Sequence, residues 1–216
     1  MARWEPDAVG RLQAAAVELY REPGYDKVTV AELAARASLT PRTFFRYFSD
    51  KREVLFFGAE KLETLVEEGV LAAPGGTSAL EAVAAALAPI ARRSDEDPVI
   101  ADYVRQRHDL IRTYAELRER ELAKHASLAA ATAAALRRRG VSEPEASLAA
   151  EAGLAAFTVG FERWADDPRR RKMGHHVREA MRGLEAVVLG SAVLEEAATG
   201  GRTSPVESSR KACRKR

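Results

Sequence analysis

The chain has 216 residues and a net charge of +2, and its composition, 46% hydrophobic and 31% charged, is typical of a soluble globular protein. Cys213 is the one cysteine, which excludes an intrachain disulfide. No apolar run reaches the roughly 20 residues that span a bilayer, and the N-terminus lacks a secretory pattern, so we expect a cytoplasmic protein with no membrane partner.

Helical periodicity covers nearly the whole chain, and no alternating strand pattern accompanies it, which predicts an all-α fold. Pro6 and Asp7 are expected to begin a first helix, which ends at Pro23-Gly24. Thr29 and Glu32 have the spacing of a capping box, which predicts the start of a second helix.

Thr40 and Pro41 repeat this signal for a third helix, with threonine as the cap and proline in the first helical position. A fourth helix is expected from Lys51 to about Ala72, before a break at 74–77. Five further helices bring the total to about nine, at about 78–93, 97–112, 114–139, 144–166 and 171–197. Pro89 predicts a kink or an early stop in the first of these.

The third helix has an apolar face and a polar face. Phe44 and Phe48, at i and i+4, are expected to point inward and pack with Leu33, Ala34, Ala37 and Leu39. The outward positions are then Arg42, Thr43, Arg46 and Tyr47, with Phe45 at the edge. From 36 to 52 the chain carries a local charge of +4, hidden within a nearly neutral protein.

These side chains have direct uses on DNA. Arginine can donate two hydrogen bonds to guanine, and Phe45 and Pro41 offer apolar surface to a thymine methyl. Threonine and tyrosine hydroxyls suit phosphate oxygens, and Lys51 at a helix start could clamp a phosphate. The alternative is that these are ordinary solvent-facing charges on a helical domain.

The residues from roughly Asp7 to Phe57 resemble the DNA-binding domain of TetR-type transcriptional repressors. The resemblance rests on Gly24-Tyr25, on the run from Thr29 to Ala34, and on Thr-Phe-Phe-Arg-Tyr-Phe at 43–48 followed by Lys51. It implies DNA contacts from Thr29, Thr40, Pro41, Arg42, Thr43, Phe45, Arg46, Tyr47 and Lys51. Members of the family more often have tyrosine at the position of Phe45, and many have glycine at that of Arg42, so Arg42 is expected to shift the preferred sequence towards guanine.

The resemblance also implies an N-terminal three-helix helix-turn-helix domain at 1–52 and a helical effector-binding and dimerisation domain at 53–198. The composition from Thr199 onward predicts a basic tail at 199–216. We expect the tail to be disordered because it has almost no apolar residues. The last two long helices are expected to form a homodimer interface, and its candidate residues are Ala152, Ala156, Gly160, Val177, Met181, Leu184 and Val188. Such stripes also occur in the core of a single chain.

An effector pocket is expected among the middle helices, with candidates that combine bulk and polar tips: Tyr103, Arg107, Tyr114, Phe157, Phe161 and Trp164. The run 43–48 is most similar to a branch that includes regulators of the mycofactocin type, which implies an apolar or acyl-CoA-like effector. No cofactor or metal is expected: His108 and His125 are too far apart along the chain to form a helical metal pair, and the adjacent His175 and His176 point to different faces.

The predicted function is therefore that of a TetR-type repressor, not an enzyme, that binds a near-palindromic DNA operator as a homodimer and is released by a small molecule. One alternative is an activator or a ligand-independent architectural DNA-binding protein. Another is an enzyme or small-molecule carrier with a vestigial DNA-binding domain, although no catalytic triad, metal-ligand spacing or phosphate loop supports it.

Overall fold

The computed structural model describes the backbone of residues 7–199 and the side chains of residues 7–188. Within this range the chain forms nine α-helices and no strand, which agrees with the predicted all-α class. The helices are α1 (Ala8–Leu19), α2 (Val30–Arg36), α3 (Pro41–Phe45), α4 (Ala59–Ala72), α5 (Ala79–Glu96), α6 (Pro98–Thr113), α7 (Ala115–Arg138), α8 (Glu145–Ala165) and α9 (Met173–Thr199). Pro6 and the predicted tail beyond Thr199, with Cys213, lie outside the described residues.

No helix in the described part of the chain is both long enough and apolar enough to cross a membrane.

Local capping signals determine the N-terminal helices. The carboxylate of Asp7 accepts a hydrogen bond from the Gly10 amide at the start of α1. Thr29 and Glu32 form the predicted capping box, with the Thr29 amide 2.8 Å from the Glu32 carboxylate. At the start of α3 the Thr40 hydroxyl accepts a hydrogen bond from the Thr43 amide. These contacts satisfy amides that have no partner within the helix. The second and third helices begin where the sequence predicts, and α1 begins at Ala8, directly after the cap Asp7.

The fourth helix does not begin at Lys51. The chain forms a short 3-10 helix at Glu53–Phe56, and α4 starts at Ala59 after Gly58, whose φ is +90°. Val54, Leu55 and Phe56 are all buried, and three successive residues cannot share one narrow face of an α-helix. The turn at Gly58 lets the chain bury all three and then restart as a helix.

The remaining predicted helices agree with α5 to α9 to within three residues at each end. Pro89 lies inside α5, which continues to Glu96, so the early stop, one of the two predicted effects of this proline, does not occur. Proline removes the hydrogen bond to the carbonyl of Ala85, but Ala85 is exposed, so water can take that bond. The buried side chains of Ala86 and Ala91 hold the helix against its neighbours on both sides of the proline.

The C-terminal helices pack closely through small residues. A Cβ added at Gly160 of α8 would lie 2.6 Å from the backbone of Val177 in α9, and one at Gly153 would lie 2.5 Å from the Val83 side chain in α5. Ala156 is buried as well. Ala156, Gly160 and Val177 are therefore core residues of one chain. Their predicted place in a dimer interface is corrected, because packing within the chain leaves almost none of their surface for a partner.

Candidate nucleic-acid interface and interior cavity

The third helix separates its core face from its outer face. Phe44 is fully buried and Phe48 nearly so, and their rings lie 5.4 Å apart. Arg42, Phe45 and Arg46 are exposed, and Phe45 retains 59% of its accessible surface. An exposed aromatic ring next to two exposed arginines offers the kinds of group that contact base edges in the major groove.

The two arginines of α3 differ in their partners. Arg42 makes no hydrogen bond or ion pair with another described residue, so its guanidinium is available to an incoming ligand. Arg46 donates a 2.7 Å hydrogen bond to the Tyr47 hydroxyl and lies over the Tyr47 ring, 4.9 Å from its centroid. Arg46 and Tyr47 are therefore held side by side, where both groups could contact the same phosphate.

The predicted basic patch is smaller than the sequence indicates. Arg36 pairs with Glu18 of α1 at 2.5 Å, and Arg52 pairs with Asp50 at 3.3 Å. Since Glu18 lies outside the counted segment, its carboxylate could not be included in the sequence count. The positive charge of this unit is consequently concentrated on Arg42 and Arg46.

Thr29 and Thr40, both predicted to contact DNA, are exposed at the starts of α2 and α3. Their hydroxyls are already engaged, with Glu32 at 2.8 Å and with the Thr43 hydroxyl at 3.0 Å. Hydrogen bonds from the Thr29 amide and hydroxyl lower the pKa of Glu32, so this carboxylate stays charged beside Thr29. That negative charge opposes a phosphate at Thr29, whereas Thr40 has no such neighbour among its contacts.

Lys51 points into the protein. Its ammonium donates to the carbonyls of Tyr25 at 2.7 Å and Val28 at 3.1 Å, and it lies 4.2 Å from the centroid of the Tyr25 ring. The Lys51 carbonyl in turn accepts a 2.6 Å hydrogen bond from the Tyr20 hydroxyl. These contacts fix the turn between α1 and α2, a role that the sequence does not indicate.

Below this unit, a cavity of about 570 Å³ lies among α4 to α8. Its wall is mostly apolar, and its size falls in the range of small-molecule sites. Three of the predicted pocket residues line it: Arg107, Phe157 and Phe161. The structure places the other three elsewhere. Tyr103 packs against the N-terminal core, the Tyr114 hydroxyl donates to the Tyr20 carbonyl, and Trp164 is buried beneath Arg105.

One end of the cavity carries a cluster of charged residues. The Glu121 carboxylate accepts hydrogen bonds from Arg107 at 2.6 Å and from Lys124 at 2.5 Å, and it lies 3.5 Å from His125. Burial alone would raise the pKa of Glu121, but the His125 contact and the two cations lower it well below its usual range. The cluster therefore holds Glu121 as an anion.

His108 and His125 line the same cavity although they are distant in sequence, because α6 and α7 pack against each other. His108 is 8% exposed, and its Nε2 has no hydrogen-bond partner among the described residues. Burial, followed by the charge of Arg112, lowers the pKa of His108. Within the described range no three His, Cys, Asp or Glu residues are grouped to hold a metal ion.

Polar contacts join the cavity wall to the N-terminal unit. The Arg107 Nε donates a 2.6 Å hydrogen bond to the carbonyl of Leu55, in the 3-10 helix before α4. Arg120 of α7 forms a two-bond pair with Glu53 of the same 3-10 helix, at 2.6 and 3.0 Å. Arg107 thus connects the cavity wall directly to the segment that precedes α4, and a movement of its side chain would act on that segment.

Comparison with known proteins relates the N-terminal part of the chain to a family. Residues 12–56 match the family model described as bacterial regulatory proteins, tetR family. The chain is 31% identical over 78 residues to the HTH-type transcriptional regulator TcmR of Streptomyces glaucescens, a match that covers 36% of this chain and 34% of the relative. The match thus spans about a third of the length of this curated relative.

Solved structures share the fold over most of the chain. SmeT, the repressor of the Stenotrophomonas maltophilia multidrug efflux pump SmeDEF, is 17% identical with a TM-score of 0.56, and the alignment covers 83% of this chain and 89% of SmeT. FadR from Bacillus subtilis, in complex with stearoyl-CoA, is 18% identical with a TM-score of 0.55, covering 81% of this chain and 96% of FadR. Similarity at this level of identity concerns the fold. The N-terminal part of the chain, at residues 12–56, is thus similar to the tetR family of bacterial regulatory proteins.

Proposed function

We propose that this protein is a homodimeric, sequence-specific DNA-binding repressor that a small molecule releases from its operator. The observation that carries the proposal is the outer face of α3, where Arg42, Phe45 and Arg46 are exposed while Phe44 and Phe48 fix the helix in the core. Of these, Arg42 is assigned to a guanine edge and Phe45 to a thymine methyl. Thr43, Arg46, Tyr47 and the Thr40–Pro41 start of α3 are assigned to the adjacent backbone.

The domain boundary is proposed at Phe57-Gly58 instead of after residue 52. Val54, Leu55 and Phe56 belong to the same buried cluster as α1, α2 and α3. The helical effector-binding and dimerisation domain then begins with α4. A DNA-binding domain that includes the 3-10 helix places the contacts of Arg107 and Arg120 between the two domains.

The dimer interface is proposed on the outer faces of α8 and α9. Leu148, Val159, Val187 and Val188 are large apolar residues that remain exposed there, with Val187 at 69% and Val188 at 60%. Ala152, Met181 and Leu184 are partly exposed and belong to the same pair of helices. A two-fold axis through this surface would present two copies of α3 to half-sites about one DNA turn, ~34 Å, or slightly more apart.

The cavity is the proposed effector site. Its wall includes Leu55, Phe56 and the chain turn at Phe57-Gly58, so an occupant would touch the segment that joins the two domains. SmeT has been solved with triclosan, at 16% identity, a TM-score of 0.58 and coverage of 96% of this chain and 99% of SmeT, and FadR with stearoyl-CoA. Release requires that the effector bind more tightly to the DNA-free arrangement, in which a shift of α4 changes the spacing of the recognition helices. Membership of the mycofactocin-regulator-like branch stays a prediction.

The test is selection of bound sequences from a random duplex library, at stated salt, with the full-length protein. A near-palindromic consensus supports a dimeric sequence-specific regulator, whereas enrichment without a consensus would reduce the protein to a nonspecific binder. Phe45→Ala should flatten the consensus. Arg92→Ala, which removes an exposed charge from α5, is the matched control and should leave it unchanged. A reporter carrying the selected operator then separates repression from activation when the gene is deleted.

A further inference from the structure

The wall of the cavity carries an excess of positive charge. Four basic residues line it, Arg107, Arg112, Arg118 and Lys124, against the two carboxylates of Glu121 and Glu162. Arg112 and Arg118 are exposed, and Arg112 pairs with Asp166 at 3.0 Å. The buried excess is therefore that of Arg107 and Lys124 over Glu121. In an apolar surrounding such an excess raises the potential more than it would at the surface, because water does not screen it. This excess favours an anionic group over a cationic one in an occupant.

The excess is concentrated at the Glu121 cluster. One carboxylate there serves both Arg107 and Lys124, whose side chains are only 15% and 12% exposed. Burial and the neighbouring charge of Arg107 lower the pKa of Lys124 to about 8, so its ammonium is incompletely compensated by Glu121. A carboxylate from a ligand would give Arg107 and Lys124 one anion each, whereas they now share Glu121.

The rest of the wall favours a hydrocarbon body. Leu87, Ile90, Leu128 and Phe157 line the interior. Phe57 and Leu122 also line the cavity, and they are 54% and 71% exposed, which makes the route from solvent apolar as well. An occupant that buries apolar surface against these residues gains free energy in proportion to the area removed from water.

We infer that the effector is an amphipathic acid, with an apolar body in the cavity and a single carboxylate at Arg107 and Lys124. This inference rests on the proposed effector role of the cavity and adds the chemical class of the ligand. A carboxylate at Arg107 would also affect the segment before α4. The Arg107 guanidinium donates a hydrogen bond to the Leu55 carbonyl, and a ligand carboxylate would compete with that carbonyl for the guanidinium.

The first experiment is calorimetric titration of the full-length protein with octanoate, decanoate and dodecanoate, each matched to its alcohol and amine and kept below the concentration at which it forms micelles. A naphthyl acid and the corresponding naphthyl alcohol test a broader apolar body. We expect at least one acid to bind about tenfold more tightly than its matched alcohol, since charge-assisted hydrogen bonds exceed neutral ones by that order, and more tightly still than the amine.

Two variants with opposite expected signs locate the carboxylate. Lys124→Met keeps the length of the side chain and removes its charge, so the preference of acid over alcohol should fall to about twofold or less. Glu121→Gln removes the competing anion, so the acid should bind more tightly than to the wild type while the alcohol is unaffected. Lys61→Met, at an exposed position on α4 that does not line the cavity, is the matched control and should change neither affinity.

Equal binding of acids and alcohols, no binding of any acid, or an acid preference that survives Lys124→Met would each overturn the inference. Decanoyl-coenzyme A is the further arm, because its acyl group is uncharged and its anionic part is remote from the chain. If it bound more tightly than decanoate, and equally to Lys124→Met, the anion would lie outside the cavity and the inference would fail. DNA release is measured separately, so an acid that binds without releasing the operator contradicts the proposed function and leaves the ligand class standing.

Discussion

The Lys51 ammonium lies 2.7 Å from the carbonyl oxygen of Tyr25, across the turn that joins α1 to α2. With the second bond to Val28 and the bond from the Tyr20 hydroxyl to the Lys51 carbonyl, one residue connects the beginning and the end of the N-terminal unit. Lys51, which the resemblance to TetR-type repressors predicts to bind phosphate, therefore makes structural contacts inside the domain.

Lys51→Met should lower the free energy of unfolding by about 1–3 kcal/mol, because two carbonyls lose hydrogen bonds from a charged donor. Operator affinity should fall for all sequences alike, and the slope of log affinity against log salt should stay unchanged. Denaturant unfolding and a salt titration measure the two effects. Arg36→Met, which breaks an exposed pair with Glu18, is the comparison and should cost less than about 1 kcal/mol. A salt slope reduced by about one would restore the phosphate assignment of Lys51.

Arg42→Ala should relax the preference at one base position of each half-site and weaken consensus binding by about 1–3 kcal/mol, because a bidentate arginine–guanine contact carries that much discrimination. The duplex selection is repeated with this variant and with Arg92→Ala to measure the base preference, and titration of the consensus duplex measures the loss of affinity. An equal loss of affinity on every sequence would instead assign Arg42 to the DNA backbone.

The helix starts could be predicted from the sequence because their causes are local. Thr29 and Glu32 satisfy each other's amides, and Thr40 accepts from the amide of Thr43. Pro41 has no N–H to satisfy, and nothing distant alters these contacts. The start of α4 was not predictable in that way. It depends on burying Val54 to Phe56 against α1, which is a tertiary requirement that overrides local helix propensity.

The candidate sites divide along the same line. The outward set of α3 follows from its period, so the exposure of Arg42 and Phe45 could be read from their spacing with Phe44. The cavity could not, since it joins His108 of α6 to His125 of α7 across two packed helices. The sequence does contain one signal for it: polar residues recur among the apolar positions of α7, at Glu121, Lys124 and His125.

Gly160→Ala should destabilise the protein by about 1–3 kcal/mol, because the added Cβ would lie 2.6 Å from the Val177 backbone and α8 and α9 would have to separate. Gly183→Ala is the matched control on α9, where a Cβ meets nothing within 4 Å and helix propensity should add up to about 1 kcal/mol. Denaturant unfolding at fixed protein concentration measures both. If Gly160→Ala weakened self-association and left unfolding unchanged, Gly160 would return to the dimer interface.

His108→Phe should raise stability, by about 1–3 kcal/mol, because it removes a buried nitrogen that has no partner among the described residues and keeps an aromatic ring against Phe161. The effect should grow in acid. The pKa of His108 is lowered from its ordinary 6.5 in the folded protein. As the pH falls through 6.5, His108 therefore binds a proton in the unfolded chain before it does in the folded chain, and this favours unfolding. Unfolding free energies at about pH 7.5 and about pH 5 should therefore show the wild type losing more stability than the variant. A constant difference between the two proteins would contradict the assignment.

The contact between Gly69 and Ala86 determines how α4 can respond to an occupied cavity. A Cβ at Gly69 would lie 2.8 Å from the Ala86 Cβ and 2.9 Å from its Cα, so the two helix backbones touch at this point and cannot approach further. Ala59, at the other end of α4, lies about 15 Å away along the helix axis. A rotation of α4 by about 8° around Gly69 would therefore displace Ala59 by about 2 Å. Ala59 is where α4 meets the DNA-binding domain. The close contact at Gly69 thus fixes this end of α4 against α5, so a small rotation moves mainly the end at Ala59, which lines the cavity.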